Sequence, residues 1–322
     1  MCGVCNPPKV KYVDGRRSIT WPIYFAIRLL PVLLQERFDI IDCQNFPFFP
    51  CYSAKITSKI KKSTLVITWH EVWADYWFEY LGKAGVFGKT IEKLTTHLAS
   101  RNIAVSRQTL EALVAVGLKK QIQIIPNGID LSLIESVKPS SELSDIVFAG
   151  RLIKEKHVEL LINLINLLKK ENPSIKAVII GDGPEKEDIE KLIDNLKLRD
   201  NVLLLGRMET DTDVYSYLKS SKVFLSLSSR EGFGIIALEA NACGLPVVTV
   251  KHPQNAICDL IVEGANGFTC ESSLQDLAHK VLMVRSESDN LSHNCVEYAK
   301  GHDWDKIAGD LEIFYAVSSF NK

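Results

Sequence analysis

Apolar residues recur along the chain in two alternating rhythms. Short runs of strand length, such as Thr64-Leu-Val-Ile-Thr68, Asn102-Ile-Ala-Val105 and Gln123-Ile-Ile125, are separated by longer stretches with helical spacing. In the first part, helices are expected at about 22–36 with a kink at Pro31, through Ala54 to Lys61, at about 89–100, and from a Ser106 cap to Val116. A short strand at 39–42 and an aromatic–proline loop, Phe46-Pro-Phe-Phe-Pro50, fall between the first two helices. After the turn Pro126-Asn-Gly-Ile-Asp130 the alternation resumes. Strands are expected near 145–149, 176–180, 201–205, 222–227 and 246–250, and helices near 155–170, 185–196, 211–219 and 234–243. A small strand and helix between Gly267 and Arg285 and an amphipathic helix at 304–318 complete the pattern. Strands alternating with helices predict parallel sheets covered on both faces.

The two alternating series make two α/β domains. Residues 1–136 form the first, opening on a loop-like stretch that holds Pro7-Pro8 and Asp14-Gly15. The stretch 132–144 is polar and irregular, and 137–144 is taken as the linker. Residues 145–302 form the second domain, and 303–322 a C-terminal helix with the option of crossing back to the first. A length of 322 residues suits two domains, and 46% hydrophobic with 24% charged content is that of a globular protein with material for two cores.

Charge and cysteine usage narrow the function classes. A formal net charge of −1 gives no electrostatic reason to expect a nucleic-acid partner. Cys2 and Cys5 form a lone C-x-x-C without the second pair or histidines of a zinc site, so the eight cysteines are read as reduced, mostly buried thiols of a cytoplasmic protein. The opening residues have neither a basic start nor an apolar core, so no signal peptide is expected. The most membrane-like run, 19–34, contains Arg28 and two prolines and is too short to span.

Candidate chemistry sits where strands end. Leu225 to Val250 reads as strand, glycine-bearing loop, short apolar helix, turn and strand. Its helix, Ile235-Ile-Ala-Leu-Glu-Ala-Asn-Ala, is apolar on nearly every face, yet it carries Glu239 and no Lys or Arg. A buried carboxylate needs donors, and a vicinal diol supplies two side by side. Glu231 before the helix matches Ser228-x-x-Glu231, a capping box, although glycines at 232 and 234 weaken that match. Arg151, Lys154 and Lys156 crowd a helix N-terminus after Gly150, an arrangement suited to a phosphate; a solvated basic turn is the plain alternative. Gly181-Asp-Gly-Pro-Glu185 and Gly206-Arg207-Met208 end the next two strands and fit a plain turn as well as a ligand contact. His70 follows the strand at 64–68 and is equally a structural or a site histidine. The aromatics Trp73, Tyr76, Trp77, Phe78 and Tyr80 fit either an acceptor wall or packing. The run Lys55-Ile-Thr-Ser-Lys-Ile-Lys-Lys62 fits a solvated helix face, with contact to anionic lipid as the other reading.

Together these residues resemble the family-4 retaining glycosyltransferases. The E-x7-E spacing of Glu231 and Glu239 lies within Ser-Arg-Glu-Gly-Phe-Gly-Ile-Ile-Ala-Leu-Glu, and Ile125-Pro-Asn-Gly-Ile-Asp130, Ala149-Gly-Arg-Leu-Ile-Lys-Glu-Lys156, Gly181-Asp-Gly-Pro-Glu185 and Trp304-Asp-Lys-Ile-Ala308 follow in the family's order. The resemblance implies a GT-B fold, two Rossmann-like doubly wound domains facing a cleft. It also implies a donor, a UDP- or GDP-sugar, held mainly by the second domain, with no metal and no further cofactor. Glu239 would hold the ribose hydroxyls and Glu231 the hydroxyls of the transferred sugar. Phe233 and Gly234 would border sugar and diphosphate, and Arg151 and Lys156 would bind the diphosphate beside Gly150 and Gly183. His70 would stand near the reaction centre, and Arg207 and Met208 would border the base.

The activity implied is retaining transfer of a hexose-type sugar to a glycan, glycolipid, lipid or polyprenyl-linked acceptor, in the cytoplasm with room for peripheral contact at the inner face of the membrane. Two departures stand out: His157 replaces a glycine after Lys156, and the family's opening strand and glycine-rich loop are not present. The second makes a catalytically impaired nucleotide-sugar-binding or regulatory subunit the alternative expectation. Neither half carries G-x-G-x-x-G, which disfavours a dehydrogenase.

Overall fold

The computed structural model describes residues 3–6, 12–13, 16–17 and 20–320. Cys2, Pro7-Pro8 and Asp14-Gly15, and so the C-x-x-C and the turn read at the start, lie outside the described residues. The chain divides into two compact units, 1–126 with 308–322, and 127–307. The division precedes the polar stretch, which is itself not irregular throughout, because Asp130 caps a helix within it.

In the first unit, β1 (Tyr12–Val13) and β2 (Arg16–Arg17) form a small antiparallel ladder. Helix α1 (Thr20–Gln35) leads to β3 (Ile40–Gln44), α2 (Phe49–Lys61), β4 (Thr64–Trp69), α3 (Tyr76–Leu81) and α4 (Gly85–Thr95). β5 (Arg101–Ala104), α5 (Arg107–Val116) and β6 (Gln121–Ile124) follow. The four longer strands form a parallel sheet in the order β3-β4-β5-β6. β4 is buried at five consecutive positions, from Leu65 to Trp69, as its apolar run requires of a central strand. The helix expected at 89–100 is displaced, occupying α4, with Trp77 of α3 lying on Gly88; a Cβ there would meet the indole at 2.3 Å.

The second unit starts with α6 (Leu131–Ser136), whose N-terminus Asp130 caps by accepting from the Leu133 N–H at 2.8 Å. β7 (Ser144–Ala149), α7 (Val158–Leu168), β8 (Ala177–Ile180), α8 (Lys186–Asn195) and β9 (Val202–Gly206) make its first half. α9 (Asp211–Lys219), β10 (Ser221–Ser226), β11 (Arg230–Glu231), α10 (Ile235–Ala242), β12 (Val247–Val250), β13 (Gln254–Asn255), α11 (Ile257–Leu260) and β14 (Gly267–Cys270) make the rest. Helices α12 (Leu274–Lys300) and α13 (Trp304–Phe320) end the chain.

The sheet order is β14-β12-β10-β7-β8-β9, all parallel. From β7 the chain builds outward through β8 and β9, then returns to β10 on the other side of β7. The strand order reverses there, and the loops after β7 and β10 flank the crevice where doubly wound sheets bind ligands.

Two of the family-like motifs turn out to be one packing unit. The Gly128 Cα lies against Trp304, whose ring a Cβ would meet at 2.6 Å. Ile129 donates to the His302 carbonyl and its own carbonyl accepts from the Trp304 N–H. Asn127-Gly128-Ile129 is therefore a seat for the start of α13. The helix itself is divided, since residues from Ala308 onward belong to the first unit.

Candidate functional site

The loop after β7 is shaped by close backbone approach. Gly181 adopts φ +148°, and a Cβ on it would stand 1.8 Å from the Gly150 carbonyl oxygen; one on Gly183 would stand 2.3 Å from the Leu152 oxygen. These contacts account for the glycines of Gly181-Asp-Gly-Pro without invoking a ligand. Gly150 donates to Ile180 and Gly181 to Gly206, so the three strand ends are tied side by side. Arg207 is exposed and Met208 half-buried beyond Gly206.

The helix expected from Lys154 starts later. Lys154–Lys156 form a single 3-10 turn, and α7 begins at Val158 after His157 at φ 48°. That left-handed conformation is the one a glycine adopts without strain, which explains why glycine suits this position. His157 is held there by Ser229 at 3.1 Å and Glu159 at 3.3 Å. Ser229 in turn donates its N–H to the Glu155 carbonyl at 2.9 Å, joining the loop after β7 to the loop after β10.

That junction brings Lys156 and Glu231 into an ion pair, each side chain only 17% exposed. Ser228, fully buried, donates to the same Glu231 oxygen at 3.2 Å. The Ser228-x-x-Glu231 spacing is thus not a capping box: Arg230–Glu231 are extended and pair in parallel with Gln254–Asn255. Asn255 pins the partner strand by donating to Thr249 and Val250. Gly234, at φ +86°, leaves room for Ile257, whose Cγ1 a Cβ would meet at 2.2 Å. Phe233 is buried beside it. Arg151 and Lys154 are exposed at the same end of the sheet.

Helix α10 is not buried all round. Ile235 is 42% exposed and Glu239, one turn on, is only partly buried, so this face is open while Ala237, Leu238, Ala240 and Asn241 pack inward. Tyr215 of α9, itself 5% exposed, donates its hydroxyl to Glu239 Oε1 at 2.7 Å. Loss of hydration pushes the Glu239 carboxyl up to about 6; the Tyr215 bond opposes this and Asp211 adds to it. No Lys or Arg pairs with Glu239 among the described residues, so one phenol is its charge-stabilising partner.

The first unit assembles its own polar cluster around the end of β4. The His70 N–H donates to Asn45 Oδ1 at 3.0 Å, and Asn45 Nδ2 donates to the Glu71 carbonyl at 3.2 Å. The His70 ring is hydrogen-bonded through Nε2 to Gln44 Oε1. The residue is exposed, and such hydration as its ring loses holds its pKa below the ordinary imidazole value while Asp42 pulls the other way. Asp42 is raised by burial, against bonds from Tyr315 and Thr68. Glu92, wholly buried, accepts from the backbone N–H groups of Trp73 and Ala74, both at 2.8 Å, and so fixes the loop that follows His70.

The aromatics read as an acceptor wall pack largely on one another. Trp73 lies 4.6 Å from Trp77 and 5.0 Å from Tyr80 between ring centroids. Phe78 stands apart, 41% exposed under Lys89. Among the described cysteines all are free; Cys51, Cys270 and Cys295 are buried and four are only partly so.

The chain is similar to glycosyltransferases throughout. The model of glycosyl transferases group 1 matches residues 133–302, and that of glycosyltransferase family 4 matches 4–133. The phosphatidylinositol N-acetylglucosaminyltransferase gpi3 subunit of Schizosaccharomyces pombe is 27% identical over 73% of this chain and 52% of its own length. The alpha-monoglucosyldiacylglycerol synthase of Streptococcus pneumoniae is 25% identical over 72% of this chain and 56% of its own. The chain thus spans little more than half the length of these two relatives. Among solved structures, Anabaena HepE in complex with UDP and glucose superposes with a TM-score of 0.76 at 21% identity, covering 91% of this chain and 81% of HepE. The sucrose-phosphate synthase of Thermosynechococcus elongatus gives 0.77 at 18% identity, covering 92% and 79%. More than half of the residues fall within the first family match, and the chain belongs to the glycosyl transferases group 1 family, with the GT-B fold of two Rossmann-like units.

Proposed function

We propose that the chain transfers a sugar from a nucleoside-diphosphate sugar to a lipid or lipid-linked acceptor, with retention at the anomeric carbon and without a metal ion. The observation that carries the donor assignment is Glu239: a partly buried carboxylate on the open face of α10, with one phenol as partner and lone pairs left for a ribose diol. HepE, whose fold this chain shares, was crystallised with UDP and glucose. The names of the relatives, a phosphatidylinositol N-acetylglucosaminyltransferase subunit and a glucosyldiacylglycerol synthase, support a lipid acceptor.

In this reading the diphosphate draws Lys156 away from Glu231 and lies beside Arg151, leaving Glu231 to accept from hydroxyls of the sugar. Breaking the anomeric C–O bond puts positive charge on the sugar and negative charge on the departing diphosphate. Lys156, Arg151 and the backbone N–H groups at the start of α10 stabilise that leaving group; one preorganised donor of this kind is worth about 3–4 kcal/mol. The acceptor hydroxyl attacks from the face the diphosphate leaves, its proton passes to a diphosphate oxygen, and the configuration is kept. His70, whose pKa lost hydration holds below the ordinary imidazole value, is the first unit's proposed contribution to transfer.

A lipid acceptor also fits the surface of the first unit. Of the apolar α1, Ala26 alone is buried, while Ile23, Tyr24 and Ile27 are 39%, 51% and 65% exposed. The adjoining α2 exposes Ile56 and Ile60 next to Lys59, and the Lys55 pKa is lowered by burial and by the nearby Lys120 and Lys59. Apolar side chains rimmed by crowded cations match an anionic bilayer surface.

A thermal-shift panel of UDP- and GDP-sugars tests the donor assignment. A cognate donor at a hundredfold its Kd stabilises by about 2.7 kcal/mol, and Glu239→Gln abolishes the shift. If no nucleoside diphosphate or its sugar raises the melting temperature, the reading fails.

A further inference from the structure

Asp42, Cys43 and Gln44 are consecutive at the carboxyl end of β3, and two of them hold the His70 cluster in place: Asp42 accepts from Thr68 at 2.9 Å and from Tyr315, and Gln44 meets the His70 ring. Cys43 between them faces Cys51, in the first turns of α2, with the two sulfurs 3.6 Å apart. Both thiols also approach the Gln44 carbonyl, Cys43 at 3.6 Å and Cys51 at 3.4 Å. The donor site uses neither. Packing alone accounts for Cys51, which is wholly buried in the core of this unit. It does not require a second thiol in sulfur–sulfur contact on a strand end that solvent reaches.

We propose that Cys43 and Cys51 are a modification site, a dithiol that peroxide converts reversibly to a disulfide. A disulfide bond is about 2.05 Å long, so the sulfurs, 3.6 Å apart, must close by roughly 1.5 Å. The roles of the two thiols follow from exposure. Cys43, partly exposed, is the thiol that hydrogen peroxide meets; Cys51, whose pKa the thiol–thiol contact with Cys43 and burial push up, is the resolving thiol and gives up its proton only as it attacks. The Cys43 sulfur takes one peroxide oxygen as the O–O bond breaks, giving a sulfenic acid, and the other oxygen leaves as water with the thiol proton. Cys51 then attacks the sulfenyl sulfur, the S–O bond breaks, and a second water carries off the Cys51 proton. One peroxide is reduced to two waters and two thiols are oxidised to one disulfide. An external dithiol reverses the step by exchange.

The bond draws Cys43 toward α2 and with it the flanking Asp42 and Gln44, so the partners of His70 shift. That consequence for transfer rests on the role proposed above for His70; the cross-link does not.

The test is peptide mapping of the full chain after treatment with stoichiometric hydrogen peroxide under native conditions. The expected result is an intact mass lowered by two hydrogens, a Cys43–Cys51 cross-linked peptide, and full reversal by dithiothreitol. Cys51→Ser should leave a trapped sulfenic acid on Cys43, detected with dimedone, and wild-type basal transfer. Cross-links that omit either residue, or no oxidation of Cys43 while the protein stays folded, overturn the assignment. With the cross-link formed, the transfer rate should fall by about tenfold or more; an unchanged rate leaves the modification site standing and removes its link to His70.

Discussion

The Tyr215 hydroxyl stands 2.7 Å from Glu239 Oε1, and it is what keeps a carboxylate on α10 ionisable near neutral pH. The carboxyl is raised from an ordinary 4.5 to about 6, chiefly by lost hydration. The native protein therefore binds this proton more tightly than the unfolded chain does. Its contribution to stability is greatest below pH 4.5 and is lost as pH rises through about 6. Donor binding has the opposite trend, since a ribose diol needs the ionised acceptor: affinity should rise as pH passes through about 6. Tyr215→Phe removes the bond that lowers this pKa, so the midpoint of the binding curve should move to higher pH. Calorimetric titration with the cognate nucleoside diphosphate across that range measures both.

Removal of Lys156 should cost transfer far more than fold. Lys156→Ala leaves Glu231, 17% exposed, with Ser228 as its remaining side-chain donor among the described residues. Loss of a preorganised contact to the leaving diphosphate predicts a fall in kcat of about 10²–10³-fold, against a modest change in melting temperature. Adding Glu231→Gln should recover stability but not rate. Near-wild-type turnover of Lys156→Ala would refute the diphosphate role.

Gly234→Ala is expected to be severe for steric reasons. The new Cβ would sit 2.2 Å from Ile257 Cγ1, at a φ of +86° that side chains rarely adopt. A cost of about 1–3 kcal/mol is expected from the contact, with more from the backbone. In a double-mutant cycle with the buried Ile257→Ala, the two costs should combine less than additively in chemical denaturation, which isolates the contact from the backbone strain.

Part of the fold and the residues proposed for the donor site are legible in the sequence alone. Glu231, Glu239, Lys156 and Gly234 stand out because each breaks a local rule: a carboxylate in an apolar helix, cations at a helix N-terminus, a glycine where a helix begins. The strands and most helices of the second half fall within a few residues of their expected places because the periodic signal is long, whereas α12 runs on to Lys300, well past the expected Arg285. Tyr215, Asn255 and Glu92 were invisible, since each acts across the fold on residues 24, 6 or 19 positions away. Sequence spacing also could not tell Asn127-Gly128 as a plain turn from Asn127-Gly128 as a seat for Trp304. The start of α7 was misjudged because His157, in a left-handed conformation, ends one turn and begins another.

The exposed apolar face of α1 with the lysines of α2 predicts binding to vesicles containing anionic phospholipid and not to neutral ones. Lys55→Glu with Lys59→Glu should weaken co-sedimentation by about thirtyfold or more, at about 1 kcal/mol per cation near the surface, and high salt should act similarly. Binding indifferent to both would exclude an electrostatic contribution.

The central claim is that Glu239 accepts the ribose hydroxyls of a nucleoside-diphosphate donor. The direct measurement is the affinity of the wild type and of Glu239→Gln for UDP and GDP and for their 2′,3′-dideoxy forms. The account predicts that the wild type binds one of the two natural nucleotides at least about tenfold more tightly than its dideoxy form, and that Glu239→Gln loses this discrimination. Equal affinity of the wild type for the natural and dideoxy nucleotides would contradict it.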